Sequence, residues 1–212
     1  MRIAILGTGT VGRALARRLT EIGHDVTVGT RDVENTRARP EWGEGSPALA
    51  TFAQAAARAE LVVNASGGAA AVDVLIAAGD ENLAGKVLLD VSNPLDFSAG
   101  FPPTLFVKDT DSLAERIQRT FPTTKVVKSL NTLAAALMVH PETLGADHTI
   151  FVAGDDAAAK ETVTGLLHGF GWRDVIDLGD LTGARGMEMY VQLWLRLFST
   201  LGTEKFNIKV VR

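Results

Sequence analysis

Short apolar runs recur along this chain and alternate with longer stretches whose apolar residues return every three or four positions. The runs predict strands over 2–6, 25–29, 61–64, 86–90, 125–128, 148–153 and 174–177. The helical spacing predicts helices over 10–22, 48–58, 69–79, 111–120, 131–138, 156–169 and 183–201. Strict alternation of this kind predicts an α/β fold: a doubly wound, mostly parallel sheet with helices on both faces. Two connections are rich in turn formers. The segment 31–47 holds Pro40, Gly43, Gly45 and Pro47, and is expected to be the flexible one. The segment 92–108 holds Pro94, Gly100, Pro102 and Pro103, and is expected to be irregular, at the strand ends where this class of fold binds ligands.

The last long segment departs from a one-sided stripe. Met187, Tyr190, Val191, Trp194, Leu197, Phe198 and Leu201 recur at helical spacing, and Leu193 and Leu195 widen the apolar face. So broad a face is covered on more than one side, either within the chain or by a second copy, as a homodimer through 183–201.

Length and composition narrow the function. The 212 residues suit one domain over 1–212, with 145–212 as a C-terminal α/β extension. A net charge of −4 argues against nucleic acid, which calls for a basic face. No apolar run approaches the roughly 18 residues of a membrane span, so no membrane partner is expected. The chain runs directly into its first strand, so no leader is expected and the cytoplasm is the default compartment. With no cysteine there is no disulfide, no thiolate ligand and no cysteine nucleophile. His24, His140, His148 and His168 lack metal-ligand spacing, so no metal is expected.

The chemistry lies at the start. The strand Arg2-Ile3-Ala4-Ile5-Leu6 runs into Gly7-Thr8-Gly9-Thr10-Val11-Gly12, and a helix follows that closes at Gly23. Gly7 lets the chain turn off the strand, Gly9 lets the backbone approach a pyrophosphate, and Gly12 lets helix and strand pack closely. The N–H groups of the first helical turn face the phosphate charge. A GxGxxG alone is common and can be a structural turn; between a strand and a helix it points to the dinucleotide site of a Rossmann-type fold.

The tip of the second strand selects the dinucleotide. An NAD site places a carboxylate there for the ribose hydroxyls. Here the residues are Thr30 and Arg31, a hydroxyl followed by a guanidinium, which suits the 2′-phosphate of NADP. Asp32 lies just beyond, within the window of the NAD-type acid, and is the competing signal.

With these residues in place, the chain resembles the NADPH-dependent reductases of the deazaflavin coenzyme F420 and the oxidoreductase domain of the six-transmembrane epithelial metalloreductases. The resemblance rests on Gly23-His24-Asp25-Val26-Thr27-Val28-Gly29-Thr30-Arg31, Leu89-Asp90-Val91-Ser92-Asn93-Pro94 and Val126-Val127-Lys128-Ser129-Leu130-Asn131-Thr132. Ala153-Gly154-Asp155-Asp156 and Asp177-Leu178-Gly179 with Leu181 complete it. It implies a compact NADP-binding fold whose C-terminal part helps form a pocket over the nicotinamide, often in a dimer. The chain departs from the archaeal members in two places. They carry a bulky apolar-proline segment and a histidine where this chain reads Ala65-Ser66-Gly67-Gly68, and a histidine where it has Asn131.

Hydride transfer between a nicotinamide and a flavin-like ring needs little acid–base help from a protein that stacks the rings and excludes water. The sequence accordingly offers no serine–histidine–acid set, and the candidates are positional. Ala65, Ser66 and Gly67 are expected beside the nicotinamide ribose, or simply to turn the chain. Asn93 and Pro94 are expected to bound the nicotinamide, or to open a turn. Asn131 is expected to bond a carboxamide or substrate, or to cap the next helix. Lys128 is the one charge in an apolar strand end, an ion-pair partner or a proton donor. The leading expectation is NADP(H)-dependent hydride transfer to a small-molecule acceptor, F420 first, with FMN, FAD or a quinone behind it. The alternatives are an imine, keto or hydroxyacid reductase, for which only Lys128 is available as proton donor, and a non-catalytic NADP(H) redox sensor.

Overall fold

The computed structural model describes residues 1–43 and 45–212. In chain order the elements begin with β1 (Arg2–Leu6), α1 (Thr10–Glu21), β2 (Asp25–Thr30), α2 (Val33–Arg37), β3 (Ala48–Thr51), α3 (Phe52–Arg58) and β4 (Leu61–Asn64). Next come α4 (Ala71–Ala78), α5 (Asp80–Leu83), β5 (Val87–Asp90), the short β6 (Leu95–Asp96) and β7 (Thr104–Leu105), α6 (Leu113–Thr120) and β8 (Lys125–Ser129). The chain continues through α7 (Ala135–Val139), β9 (Thr149–Gly154), α8 (Ala157–Phe170), β10 (Asp174–Asp177) and α9 (Ala184–Leu201).

Among the described residues, eight strands make one sheet in the order β3-β2-β1-β4-β5-β8-β9-β10. Neighbours are parallel except β8 and β9, which pair antiparallel with Val127 opposite Gly154. The expected doubly wound, mostly parallel sheet is therefore present, and 145–212 extends it by β9 and β10. Connections wind outward from β1 to β3, then return to β4 and run the other way. That reversal opens a crevice at the carboxyl ends of β1 and β4, where this topology binds ligands.

The central strands β1 and β4 are largely apolar because both of their faces are covered. In β1, Ile3 and Ile5 pack with Leu15, Leu19, Val163 and Leu167 on one face. Ala4 and Leu6, pointing the other way, pack with Ala56, Leu75 and Ile117. Each such Leu or Ile contributes about 1.5–3 kcal/mol by leaving water. These two layers hold the carboxyl edge rigid.

Several boundaries differ from the expected ones. The helix expected over 48–58 is split: Ala48–Thr51 pairs with β2, and the helix begins only at Phe52. Thr51 and Gln54 form a reciprocal capping box that sets this boundary, and pairing with β2 overrides the helical propensity of the alanines. Segment 31–47 contains α2 and a 3-10 turn, Pro40–Trp42, with the Trp42 side chain buried in the core. Glu44 lies outside the described residues. Segment 92–108 carries the antiparallel β6–β7 hairpin. The helix expected over 131–138 starts at Ala135, because Leu130 turns into the left-handed region at φ +62° and residues 131–134 form a separate turn.

The broad stripe on α9 is covered in part. Met187, Val191 and Leu195 are buried, and Trp194 stacks on Phe198 and Phe206. Met189, Leu193 and Leu201 remain exposed along one edge of the helix.

Candidate functional site

The glycine loop after β1 is shaped by contacts that only glycine permits. Gly7 has φ +134°, and a Cβ there would overlap the Ala65 carbonyl; a Cβ on Gly12 would overlap the Gly7 carbonyl. At Gly9 an added Cβ would meet nothing within 4 Å. Packing therefore explains Gly7 and Gly12, while the space before Gly9 is open. Gly9 is the N-cap of α1 and brings no side-chain cap; the first helical hydrogen bond runs from Arg13 N to Gly9 O at 3.0 Å. Ahead of it, the N–H groups of Thr10, Val11 and Gly12 have no partner among the described residues, and they sit at the positive end of the helix dipole.

Beside this loop, a depression of about 290 Å³ is lined by Thr8, Thr30, Arg31, Asp32, Asn35, Arg39 and Phe52, among others. Arg31 is exposed and makes no ion pair or side-chain hydrogen bond among the described residues. Arg39 reaches Thr8 Oγ1 at 3.4 Å and is also exposed. The other two residues at the strand tip, the competing Asp32 and the expected ligand Thr30, find partners within the protein. Asp32 caps α2, accepting from Asn35 N at 2.9 Å. Thr30 is buried and its hydroxyl meets the Thr36 hydroxyl at 2.7 Å. The open side of the depression thus presents guanidinium groups.

On the other side of the glycine loop lies a cleft of about 370 Å³. Its walls are Val11, the run Ala65–Ala70, Val91, Ser92 and Asn93, with Leu95 and Phe97 of the hairpin. Ala65, Ser66, Gly67 and Asn93 therefore come together as expected, with Val11 joining them to the glycine loop. Pro94 lies beneath, buried, and its carbonyl accepts from Phe106 N to hold the hairpin. Asn131 does not cap the next helix, whose N-cap is Ala134. It donates through Nδ2 to Asn93 Oδ1 at 2.9 Å and to Met187 O at 3.0 Å, while Asn93 Nδ2 donates back to Asn131 O at 2.8 Å. Asn131 Oδ1 is buried without a partner among the described residues.

Under the cleft runs a buried polar chain. Ser66 donates through Oγ to Asn64 Oδ1 at 2.6 Å, and Asn64 Nδ2 donates to Asp90 Oδ1 at 2.8 Å. Asp90 Oδ1 also accepts from Ser92 Oγ at 2.7 Å. Lys128 Nζ lies 2.8 Å from Asp90 and 2.9 Å from Glu188, with no exposed side-chain surface. Burial pulls the Lys128 ammonium down, but the Asp90 and Glu188 carboxylates outweigh it and hold its pKa above the ordinary lysine value. Lys128 is therefore an ion-pair partner, charged and closed off from the cleft.

Sequence reasoning left out Arg39, Gly68 and Glu188. Arg39 lies in a segment read as a flexible loop. At Gly68 a Cβ would collide with Asn93 O, a contact between loops 25 residues apart in numbering. Glu188 is the one acid of a largely apolar helix, a signal visible in the sequence although its partner was not.

Among the described residues there is no cluster of metal-ligating side chains and no helix long and apolar enough to cross a membrane. Residues 2–94 match the family model described as NADP oxidoreductase, coenzyme F420-dependent. The F420-dependent NADP reductase of Methanothermobacter marburgensis is 30% identical over 208 residues, which cover 93% of this chain and 92% of that protein. The chain belongs to this family. It is an NADP-dependent oxidoreductase. A crystal structure from Arthrobacter sp. FB24, provisionally assigned as an F420-dependent NADP reductase, is 57% identical, covers 100% of both chains and superposes with a TM-score of 0.98. The metalloreductase STEAP3 of Rattus norvegicus is 32% identical over 190 residues. That match takes in 88% of this chain but only 36% of STEAP3, so the chain spans about a third of that relative.

Proposed function

We propose that the chain binds NADP(H) across the tips of β1, β2, β4 and β5, and passes hydride to a planar flavin-like acceptor, with coenzyme F420 favoured. One observation carries this reading: the glycine loop, with open space at Gly9, contributes Gly7 and Thr8 to the depression that holds the Arg31 and Arg39 guanidinium groups and Val11 to the apolar cleft at Ala65–Ala70. Phosphate, pyrophosphate and nicotinamide require those three environments in that order.

Arg31 and Arg39 would hold the 2′-phosphate, where a planar guanidinium can bond two oxygens. Gly7, Thr8, Gly9, Thr10, Val11 and Gly12 would form the pyrophosphate cradle, with the first-turn N–H groups of α1 as donors. Thr30, turned inward onto Thr36, would hold the shape of the strand tip. Ala65, Ser66, Gly67 and Asn93 would wall the nicotinamide over the buried Pro94, and Asn131 would orient Asn93 through their paired hydrogen bonds. When bound, NADPH supplies a hydride, which the acceptor takes up together with a proton from solvent. The protein's part is to present two rings face to face in an apolar cleft.

Residues 145–212 would complete the acceptor side, since α9 meets the polar chain under the cleft through Glu188 and meets Asn131, the partner of Asn93, through Met187 O. The exposed row Met189, Leu193 and Leu201 would close a homodimer, which Leu193→Glu should convert to monomer in sedimentation. A carbonyl or imine reductase would need a proton donor in the cleft, and Lys128, its one sequence candidate, is sealed between two carboxylates.

NADPH oxidation followed at 340 nm with F420, FMN, FAD, a quinone and no acceptor tests the proposal. Turnover with F420 is the expected result. Tight NADPH binding with no turnover on any acceptor would overturn it in favour of a redox sensor.

A further inference from the structure

Lys128, Asp90 and Glu188 are each almost wholly buried, and a buried ion cluster is a weak source of stability because desolvation offsets the attraction. Its geometry suggests a different use. Every hydrogen-bond partner of the two acids is a donor: Asn64 Nδ2, Ser92 N and Oγ, and Lys128 Nζ for Asp90; Leu113 N, Ala114 N and Lys128 Nζ for Glu188. Donors on all sides are what ionised carboxylates take. One ammonium therefore ties together the ends of β5 and β8, the start of α6 and the first turns of α9. Its three N–H donors meet Asp90, Glu188 and the Ser92 carbonyl. Through Asp90 it fixes Ser92, and through Asp90 and Asn64 it fixes Ser66; its own Nζ also donates to Ser92 O. Ser66 and Ser92 both line the cleft, in the segments that follow β4 and β5.

We propose that Lys128 is a positioning residue for turnover: its buried ammonium sets the spacing of the Ser66 and Ser92 segments and couples that spacing to α9 through Glu188. The proposal rests on the reading that the cleft receives the nicotinamide. It assigns Lys128 no contact with substrate and no proton transfer.

Lys128→Met keeps the length of the side chain and removes the charge. Binding of adenosine 2′,5′-bisphosphate, which has the phosphates of the cofactor's adenosine half and no nicotinamide, should stay close to wild type. The emission of bound NADPH, which reports the surroundings of the nicotinamide, should move toward that of free NADPH. With an accepted acceptor, kcat should fall about 100-fold, the scale expected for misplacement by an ångström. The deuterium isotope effect from NADPH labelled at the transferred position should rise. Unchanged emission and kcat, or an equal loss of adenosine 2′,5′-bisphosphate binding, would overturn the proposal.

Should Lys128→Met fail to fold, Asn64→Ala cuts the relay to Ser66 while leaving the ion cluster in place. It should show the same altered emission and raised isotope effect, and their absence would also overturn the proposal. Gly67→Leu separates this idea from the reading beneath it, because Gly67 faces open space and tolerates a side chain there. If Gly67→Leu leaves turnover intact, the cleft reading fails. If it abolishes turnover while Lys128→Met and Asn64→Ala leave turnover and emission unchanged, only the positioning role fails.

Discussion

The two halves of the crevice are built by opposite means. At the β1–β2 end, the shape comes from glycines and one helix start within a dozen residues, and the charged groups, Arg31 and Arg39, are exposed. At the β4–β5–β8 end, the walls are small and apolar, and the charges lie underneath, paired and dry, drawn from residues 64, 90, 128 and 188. In the proposed function the first half would meet phosphates with unspent backbone and side-chain donors. The second would hold a planar ring, which calls for rigidity rather than charge. A protein that transfers hydride has to bind one end of a cofactor and aim the other, and the difference between the halves matches that division.

The contrast can be broken most severely from below. Lys128→Met leaves two buried carboxylates without their cation and is expected to cost about 3–5 kcal/mol, read from urea unfolding. A loss under about 1 kcal/mol would mean that the cluster is neither dry nor tightly coupled. Gly7→Ala comes next, because it places a methyl on the Ala65 carbonyl at a positive φ. Strain of about 1–3 kcal/mol should appear both as lower stability and as weaker NADPH binding. Arg31→Ala should leave stability unchanged and raise KM for NADPH by about tenfold or more, the worth of a charge-assisted hydrogen bond. KM for NADH should hold still; equal effects on both cofactors would remove the 2′-phosphate assignment.

Gly9→Ala sharpens the comparison within the glycine loop itself. Its methyl enters open space, so unfolding should change by less than about 1 kcal/mol, while NADPH binding weakens as the pyrophosphate loses its approach. A stability loss as large as that of Gly7→Ala would show that packing, rather than a ligand, demands the glycine. The smallest effect lies away from the crevice, where Asp174 anchors the C-terminal tail. Lys209, then the Thr149 hydroxyl and Arg212, hold the Asp174 carboxyl down to about 2. A carboxyl lowered in the folded state stabilises fully above its unfolded value of about 3.9 and loses that contribution as the pH falls toward 2. The urea midpoint of wild type should therefore exceed that of Asp174→Asn at pH 6, and the gap should close near pH 2.

The two halves also differ in how far they could be read beforehand. The glycine loop, the strand before it and the helix after it were legible because apolar run, glycine turn and helical period are local signals, while the Ala65 carbonyl that packs against Gly7 lies far along the chain. The alternation of strands and helices was legible because a sheet covered on both faces writes long apolar runs into the chain. Boundaries were less so. Nothing in Ala48-Leu49-Ala50 marks a strand until β2 lies alongside it, and the capping box at Thr51 then starts the helix later than periodicity suggests.

By itself, the sequence determined the α/β architecture, the dinucleotide-binding start and the cationic tip of β2, since hydrophobic period, glycine stereochemistry and side-chain charge act over short separations. Tertiary structure alone decided that Asp32 caps a helix, that Thr30 turns inward, that Arg39 joins Arg31, and that Lys128 meets Glu188 sixty positions further on. Those outcomes depend on which strand ends and helix starts the sheet order brings together, and Coulomb and hydrogen-bond partners are chosen by distance in space rather than by distance along the chain.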